Sequence, residues 1–245
     1  MNRGDPQSGI FLVLLLFLAL QLANDRNIPP TEVIVYFLAS FVIATTIHEF
    51  MHAYTAFQLG DTTARDLGRI TLNPIAHFDP YGFFGMVMIS LGYAFIGWGK
   101  PVPVNPNRLR AIFGTGIDGR KRSMALVAFA GPVSNVVQAA VAAGTIRIAR
   151  ETETDLGRLG EFLLYYTIVN VLLASFNMIP IPPLDGHKIL LGILPSFWYP
   201  VLAPLERYGF MIIFGLFFLT RWLNLPSVTA ELYAPMQDLL LRILF

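Results

Sequence analysis

His48, Glu49 and His52 stand in the stretch "ATTIHEFMHAY", Ala44 to Tyr54. Two imidazoles four residues apart share one face of an α-helix and can reach one metal ion. The glutamate beside the first can act as a general base on a water that the metal polarises. This is the pattern H-E-x-x-H, and its chemistry is metal-assisted hydrolysis. A catalytic zinc also needs a third protein ligand and an open position. The chain contains no cysteine, so thiolate sites and disulfides are excluded and histidine and carboxylate ligands remain. Asp185, in "NMIPIPPLDGHK" (residues 177–188), is the strongest candidate. It follows an apolar run, sits among prolines that interrupt helical hydrogen bonding, and precedes Gly186. Unwound backbone there can aim a carboxylate sideways. Taken alone, Leu184-Asp185-Gly186 also reads as a plain turn at a helix exit.

The elements that must position these groups are apolar. Of 245 residues, 55% are hydrophobic and 13% charged, about half the charge of an average soluble domain. Mean hydropathy is +0.59. The net charge of +1 and the absence of a basic tail argue against nucleic acid as a partner. The composition predicts an all-α polytopic membrane protein with about five to six membrane helices, and one membrane domain over residues 1–245. Ile10–Ala23 reads as a short first span rather than a cleaved signal. Asp5 weakens the positive leader, and no small-x-small site precedes Asn24. Thr31–Leu59 reads as one long helix entered after Pro29 and Pro30. His48 lies sixteen positions after Glu32, about 24 Å along the axis. That is inside an apolar layer about 30 Å thick, near its exit face. Further apolar stretches run over Met124–Ile148, Phe162–Met178 and about Phe197–Leu223, and the tail "APMQDLLLRILF" reads as amphipathic.

Between the first two long spans the pattern is less regular. "ARDLGRITLNP" suggests a short strand or hairpin. Tyr81–Gly97 is apolar but short and glycine-rich, and "GWGKPVPVNPNRLR" reads as extended. If 81–97 enters and returns, Arg65, Arg69, Lys100, Arg108, Arg110, Arg120, Lys121 and Arg122 share one face. Arg26, Arg147, Arg150 and Arg158 then lie on the other. The positive-inside rule favours this arrangement and puts the end of the His-bearing helix at the cytoplasmic face. Non-helical backbone at membrane depth must line a cavity or pack on protein.

Three motifs in this order, "HEFMH", "GPVSN" (Gly131, Pro132, Asn135) and "NMIPIPPLDG", resemble the site-2 protease family of intramembrane zinc metalloproteases. "GRITLNP", "HFDPYG" and "GWGKPVPVNP" resemble its compact branch without PDZ or CBS domains, so the likeness covers about residues 41–190. The resemblance implies one zinc ion held by His48, His52 and Asp185, with Glu49 as catalytic base. It implies that Asn177 holds substrate or the oxyanion, and a three-helix catalytic core at 31–59, 124–148 and 160–178. It further implies transmembrane protein substrates in a lipid bilayer, a multi-pass protein of the plasma membrane, and an active site toward the cytoplasm. A homo-oligomer is left open.

Several residues have competing readings. Pro101, Val102, Pro103 and Val104 can pair with an extended substrate or form a simple lid. Asn135 is expected to make an interhelical hydrogen bond, with Gly131 allowing close helix approach. His187 is expected at the surface, with a role beside the metal as the minority reading. His77 is expected in a loop packing the re-entrant segment. A non-proteolytic zinc-binding transporter or scaffold is the main rival function, and the presence of Glu49 speaks against it. A glutamate as third ligand is the other rival, among Glu151, Glu153, Glu161, Glu206 and Glu231. The first three fall at the opposite face, and the last two lack a supporting motif.

Overall fold

Thr31–Gln58 (α1), Gly116–Glu151 (α4) and Arg158–Asn177 (α5) are long and apolar enough to cross a membrane. At 1.5 Å per residue they measure about 42, 54 and 30 Å, against an apolar layer of about 30 Å. The computed structural model describes residues 28–93, 95–112 and 114–223, with positions 234, 238, 241 and 242 beyond them. The expected span at Ile10–Ala23 and most of the amphipathic tail lie outside the described residues.

The three long helices pack on one another, α4 meeting both α1 and α5. Their outward faces carry Val35, Ile43, Val137, Val141 and Leu164, all exposed. Their inward faces carry small and polar residues: Ala44, Ala53, Ala128, Ala139, Ala143, Ala174, Ser134, Asn135, Thr167 and Asn170 are buried. Apolar side chains outside and small or hydrogen-bonding ones between helices is the pattern of a bundle solvated by lipid. Phe41, Ala44, Met86 and Val169 form one core cluster, which ties α1, α5 and the short helix α3 together.

Residues 61–79 hold no strand. Thr63–Asp66 is a single helical turn (α2) and Pro74–His77 a 3₁₀ turn. The hairpin expected in "ARDLGRITLNP" does not form, because side chains close local turns instead. Asp61 accepts from the Thr63 N–H at 3.0 Å, and Asn73 accepts from the Ile75 N–H at 3.0 Å. Such bonds compete with sheet ladders. Pro80–Ser90 (α3) is capped by Asp79, which accepts from the Tyr81 and Gly82 N–H groups. Its 11 residues span about 16 Å, too short to cross.

The chain then turns back along α3. A Cβ at Gly82 would lie 1.9 Å from the Trp98 carbonyl oxygen, and one at Gly85 would lie 1.9 Å from that of Ile96. Two glycines one turn apart thus let the returning backbone lie directly on the helix. The Lys100 N–H donates to the His77 carbonyl at 2.8 Å, so the excursion starts and ends at the same place, as a re-entrant segment does.

Asp185–Ile193 (α6) packs against α4. The apolar stretch from about Phe197 is not one helix: a 3₁₀ turn at Ser196–Trp198, a helical turn at Tyr199–Leu202 (α7), a 3₁₀ helix at Ala203–Tyr208, and then Gly209–Trp222 (α8). Pro200 and Pro204 lack the N–H that a continuous helix needs there.

Candidate metal centre

Three chain ends meet at one end of the bundle: the C-terminal third of α1, the N-terminal half of α4, and the segment after α5. α1 buries Ser40, Phe41, Ala44, His48 and His52 on one side, so the helical period alone sets the two imidazoles together. Their rings are 4.5 Å apart and nearly perpendicular, at 87°. Asp185, the first residue of α6, reaches them from 137 and 133 positions away, its Oδ2 lying 3.2 Å from His48 Nε2 and 3.1 Å from His52 Nε2. The two Nε2 atoms are 2.9 Å apart. All three residues are buried, at 5, 8 and 6% exposure.

The outer ring nitrogens decide what the inner ones can do. His48 Nδ1 lies 2.6 Å from Asn135 Oδ1, and His52 Nδ1 lies 2.7 Å from the Val127 carbonyl oxygen. Both partners are acceptors, so both Nδ1 atoms carry the proton. The Asn135 amide is oriented by its own bonds, its Nδ2 donating to Asn170 Oδ1 at 2.8 Å and to the Ala44 carbonyl at 3.4 Å. In the neutral imidazoles each Nε2 then presents a lone pair, and the two lone pairs face each other beside a carboxylate oxygen. Two such lone pairs and a carboxylate oxygen converging in a buried space suit a cation. Two imidazole nitrogens and one carboxylate oxygen are a donor set that suits zinc. Among the described residues, His48, His52 and Asp185 form such a cluster, with ligand atoms all within 4.8 Å of one another.

α4 is shaped for this contact. A Cβ at Gly131 would lie 2.4 Å from His52 Nε2 and 2.6 Å from His48 Cε1. Pro132 lies inside the helix. Its ring crowds the carbonyl four residues back and opens the ladder one turn earlier, the turn in which Val127 turns its carbonyl to His52.

A cavity of about 950 Å³ opens beside the cluster. Its walls include His48, Glu49, His52, Asn177, Asp185, Pro101, Val102 and Val104, but not Pro103. The Glu49 carboxylate accepts from the Val102 N–H at 2.8 Å. Asn177, the last residue of α5, donates through Nδ2 to the Leu173 carbonyl at 3.0 Å. Lys188 Nζ lies 3.6 Å from Asp185 Oδ1.

His187 is not at the surface. It is 2% exposed, because the Tyr199–Tyr208 region folds back over α6, and its Nε2 lies 4.0 Å from Glu206 Oε1. His77 is buried in its 3₁₀ turn, with Nε2 donating to the Thr71 carbonyl at 2.9 Å. Asn170 escaped the sequence reading. An amide in the middle of the apolar run Phe162–Met178 was the available signal, since such groups seek partners on neighbouring helices.

A model of peptidase family M50 matches residues 124–219. The Bacillus subtilis protein named "Putative zinc metalloprotease YwhC" is 33% identical over 193 residues, 77% of this chain and 82% of that protein. The Mycolicibacterium smegmatis protein named "Putative zinc metalloprotease Rip2" is 29% identical over 201 residues, 80% of this chain and 73% of that one. No solved structure matches the chain. With that family model, and with a relative so similar over most of its length, the chain belongs to peptidase family M50, the site-2 protease family, and is a metalloprotease with membrane-crossing helices.

Proposed function

We propose that this protein hydrolyses peptide bonds of transmembrane substrates at a single zinc ion held by His48, His52 and Asp185. The observation that carries the reading is the convergence of two lone-pair nitrogens and one carboxylate oxygen beside Glu49, at the wall of a large cavity. When bound, the ion supplies Lewis-acid polarisation and eases the deprotonation of water. Glu49 takes the proton of the attacking water and passes it to the leaving nitrogen. Asn177, on the same cavity wall, holds the substrate carbonyl or the oxyanion. The extended segment Pro101–Val104 lies beside an unwound substrate, edge to edge. A substrate helix must give up its internal hydrogen bonds to be cut, and polar backbone next to the site offers replacements. The basic residues at this end of the bundle support a site that faces the cytoplasm, in a protein of the plasma membrane.

The test compares wild type, Glu49→Gln and Asp185→Ala, purified in detergent. Metal content is measured beside cleavage of a transmembrane reporter. About one zinc per chain is expected in wild type and Glu49→Gln, with depletion in Asp185→Ala and cleavage in wild type alone. Equal cleavage by wild type and Glu49→Gln would remove Glu49 as the base.

A further inference from the structure

Three stretches outside the metal centre, "GRITLNP", "HFDPYG" and "GWGKPVPVNP", meet around one extended segment, residues 100–105. The segment is held at its start by Arg69, whose Nη2 donates to the Lys100 carbonyl at 2.7 Å and to the Pro101 carbonyl at 3.3 Å. The Lys100 N–H adds the bond to His77. It is held at its end by Asp61, whose Oδ2 accepts from the Asn105 N–H at 2.6 Å. Between these anchors, Val102 donates to Glu49 Oε2. Pro101 and Pro103 have no N–H and hold φ near −65°. Val102 is therefore the one donor from 101 to 103, on backbone that the prolines stiffen.

The anchors are expensive for a merely structural tie. Asp61 is fully buried and Arg69 is 9% exposed. Arg69 donates to backbone carbonyls and makes no ion pair among the described residues. A buried cation matched only by carbonyls costs desolvation that an apolar contact would avoid. Both charges act on the one segment that touches Glu49.

We propose that Arg69 and Asp61 are positioning residues for Glu49. They fix segment 100–105 so that the Val102 N–H holds one carboxylate oxygen and leaves the other for proton transfer. The inference rests on the role proposed for Glu49. A misplacement of about 1 Å at a reacting group costs on the order of 100-fold in rate, so loosening either anchor lowers turnover.

The experiment uses the full chain in detergent micelles with a transmembrane reporter. It reads kcat, KM, metal content and amide hydrogen exchange of residues 98–106. Arg69→Gln, Asp61→Ala and Val102→Pro should each lower kcat by about 10- to 100-fold at unchanged metal content, beyond any rise in KM from the segment's place beside the substrate. Arg69→Lys, which keeps a donor for the carbonyls, should recover most of the loss. Exchange at Val102 should quicken in Arg69→Gln, and in Glu49→Ala where the acceptor is gone. A raised KM at wild-type kcat would leave the segment a substrate-binding element alone and overturn the positioning role. If Arg69→Gln fails to fold or to hold metal, Val102→Pro decides: wild-type cleavage by it, with Glu49→Gln inactive, overturns the positioning role alone. Wild-type cleavage by Glu49→Gln overturns the role of Glu49 itself.

Discussion

Adding one methyl group at Gly131 should empty the metal centre. The new Cβ in Gly131→Ala would lie 2.4 and 2.5 Å from His52 Nε2 and Cε1, and 2.6 Å from His48 Cε1. An ordinary carbon contact begins at 3.4 Å, so the nearest atom is about 1 Å too close. Neither ring can swing aside cheaply, because Asn135 and the Val127 carbonyl hold their far nitrogens. Either the rings break those bonds or α4 retreats. Metal–ligand distances tolerate about 0.2 Å, and the forced shift is about five times that. Weakening a single supporting bond already costs about 10- to 100-fold in metal affinity, so displacing both imidazoles should cost at least about 100-fold, or about 2.8 kcal/mol. Overpacking adds about 1–3 kcal/mol of lost stability. The assay is zinc competition against a chromophoric chelator in detergent, with a thermal melt on the same samples. Gly144→Ala on the same helix is the control, since nothing lies within 4 Å of its added Cβ. It should keep zinc affinity and gain a little stability from helix propensity. Zinc binding by Gly131→Ala within about threefold of wild type, or about 0.7 kcal/mol, would refute the steric reasoning.

Three other outcomes follow from the same geometry. Asn135→Leu removes the acceptor of His48 Nδ1 and strands Asn170, so zinc affinity should fall by about 10- to 100-fold while Glu49 is untouched; the same competition titration reads it. Gly85→Ala drives a methyl into the Ile96 carbonyl, and should lower stability by more than about 1 kcal/mol by prising residues 96–98 from α3, read as a drop in melting temperature. Chelation should leave three acceptors facing one another without a cation, so the melting temperature of wild type should fall and recover with added zinc. In Asp185→Ala, where the cluster loses its carboxylate, added zinc should shift the melt far less.

Legibility differed from one part of the chain to another. His48 and His52 were readable as a pair because a helix repeats every 3.6 residues, and their partnership needs nothing beyond α1. That the chain turns back after α3 was readable from a short, glycine-rich apolar run. The strand expected near residue 70 was not there. Its β-branched residues had no partner strand, and the side chains of Asp61 and Asn73 closed turns instead. The apolar stretch after Phe197 is interrupted for a local reason, Pro200 and Pro204, which outweighs its apolar composition.

The sequence by itself determined that the chain is a bundle of membrane-crossing helices carrying two imidazoles and a glutamate on one of them, because composition and helical period are local properties. Only the tertiary structure decided that Asp185 arrives from 133 and 137 positions away, that Gly131 leaves room for the rings, and that a backbone carbonyl at Val127 sets the tautomer of His52. It also decided that Arg69 and Asp61 grip the segment whose N–H meets Glu49. Every residue has a backbone carbonyl and a backbone N–H, so such bonds leave no mark in the order of side chains. They exist only where packing brings two distant parts of the chain within about 3 Å.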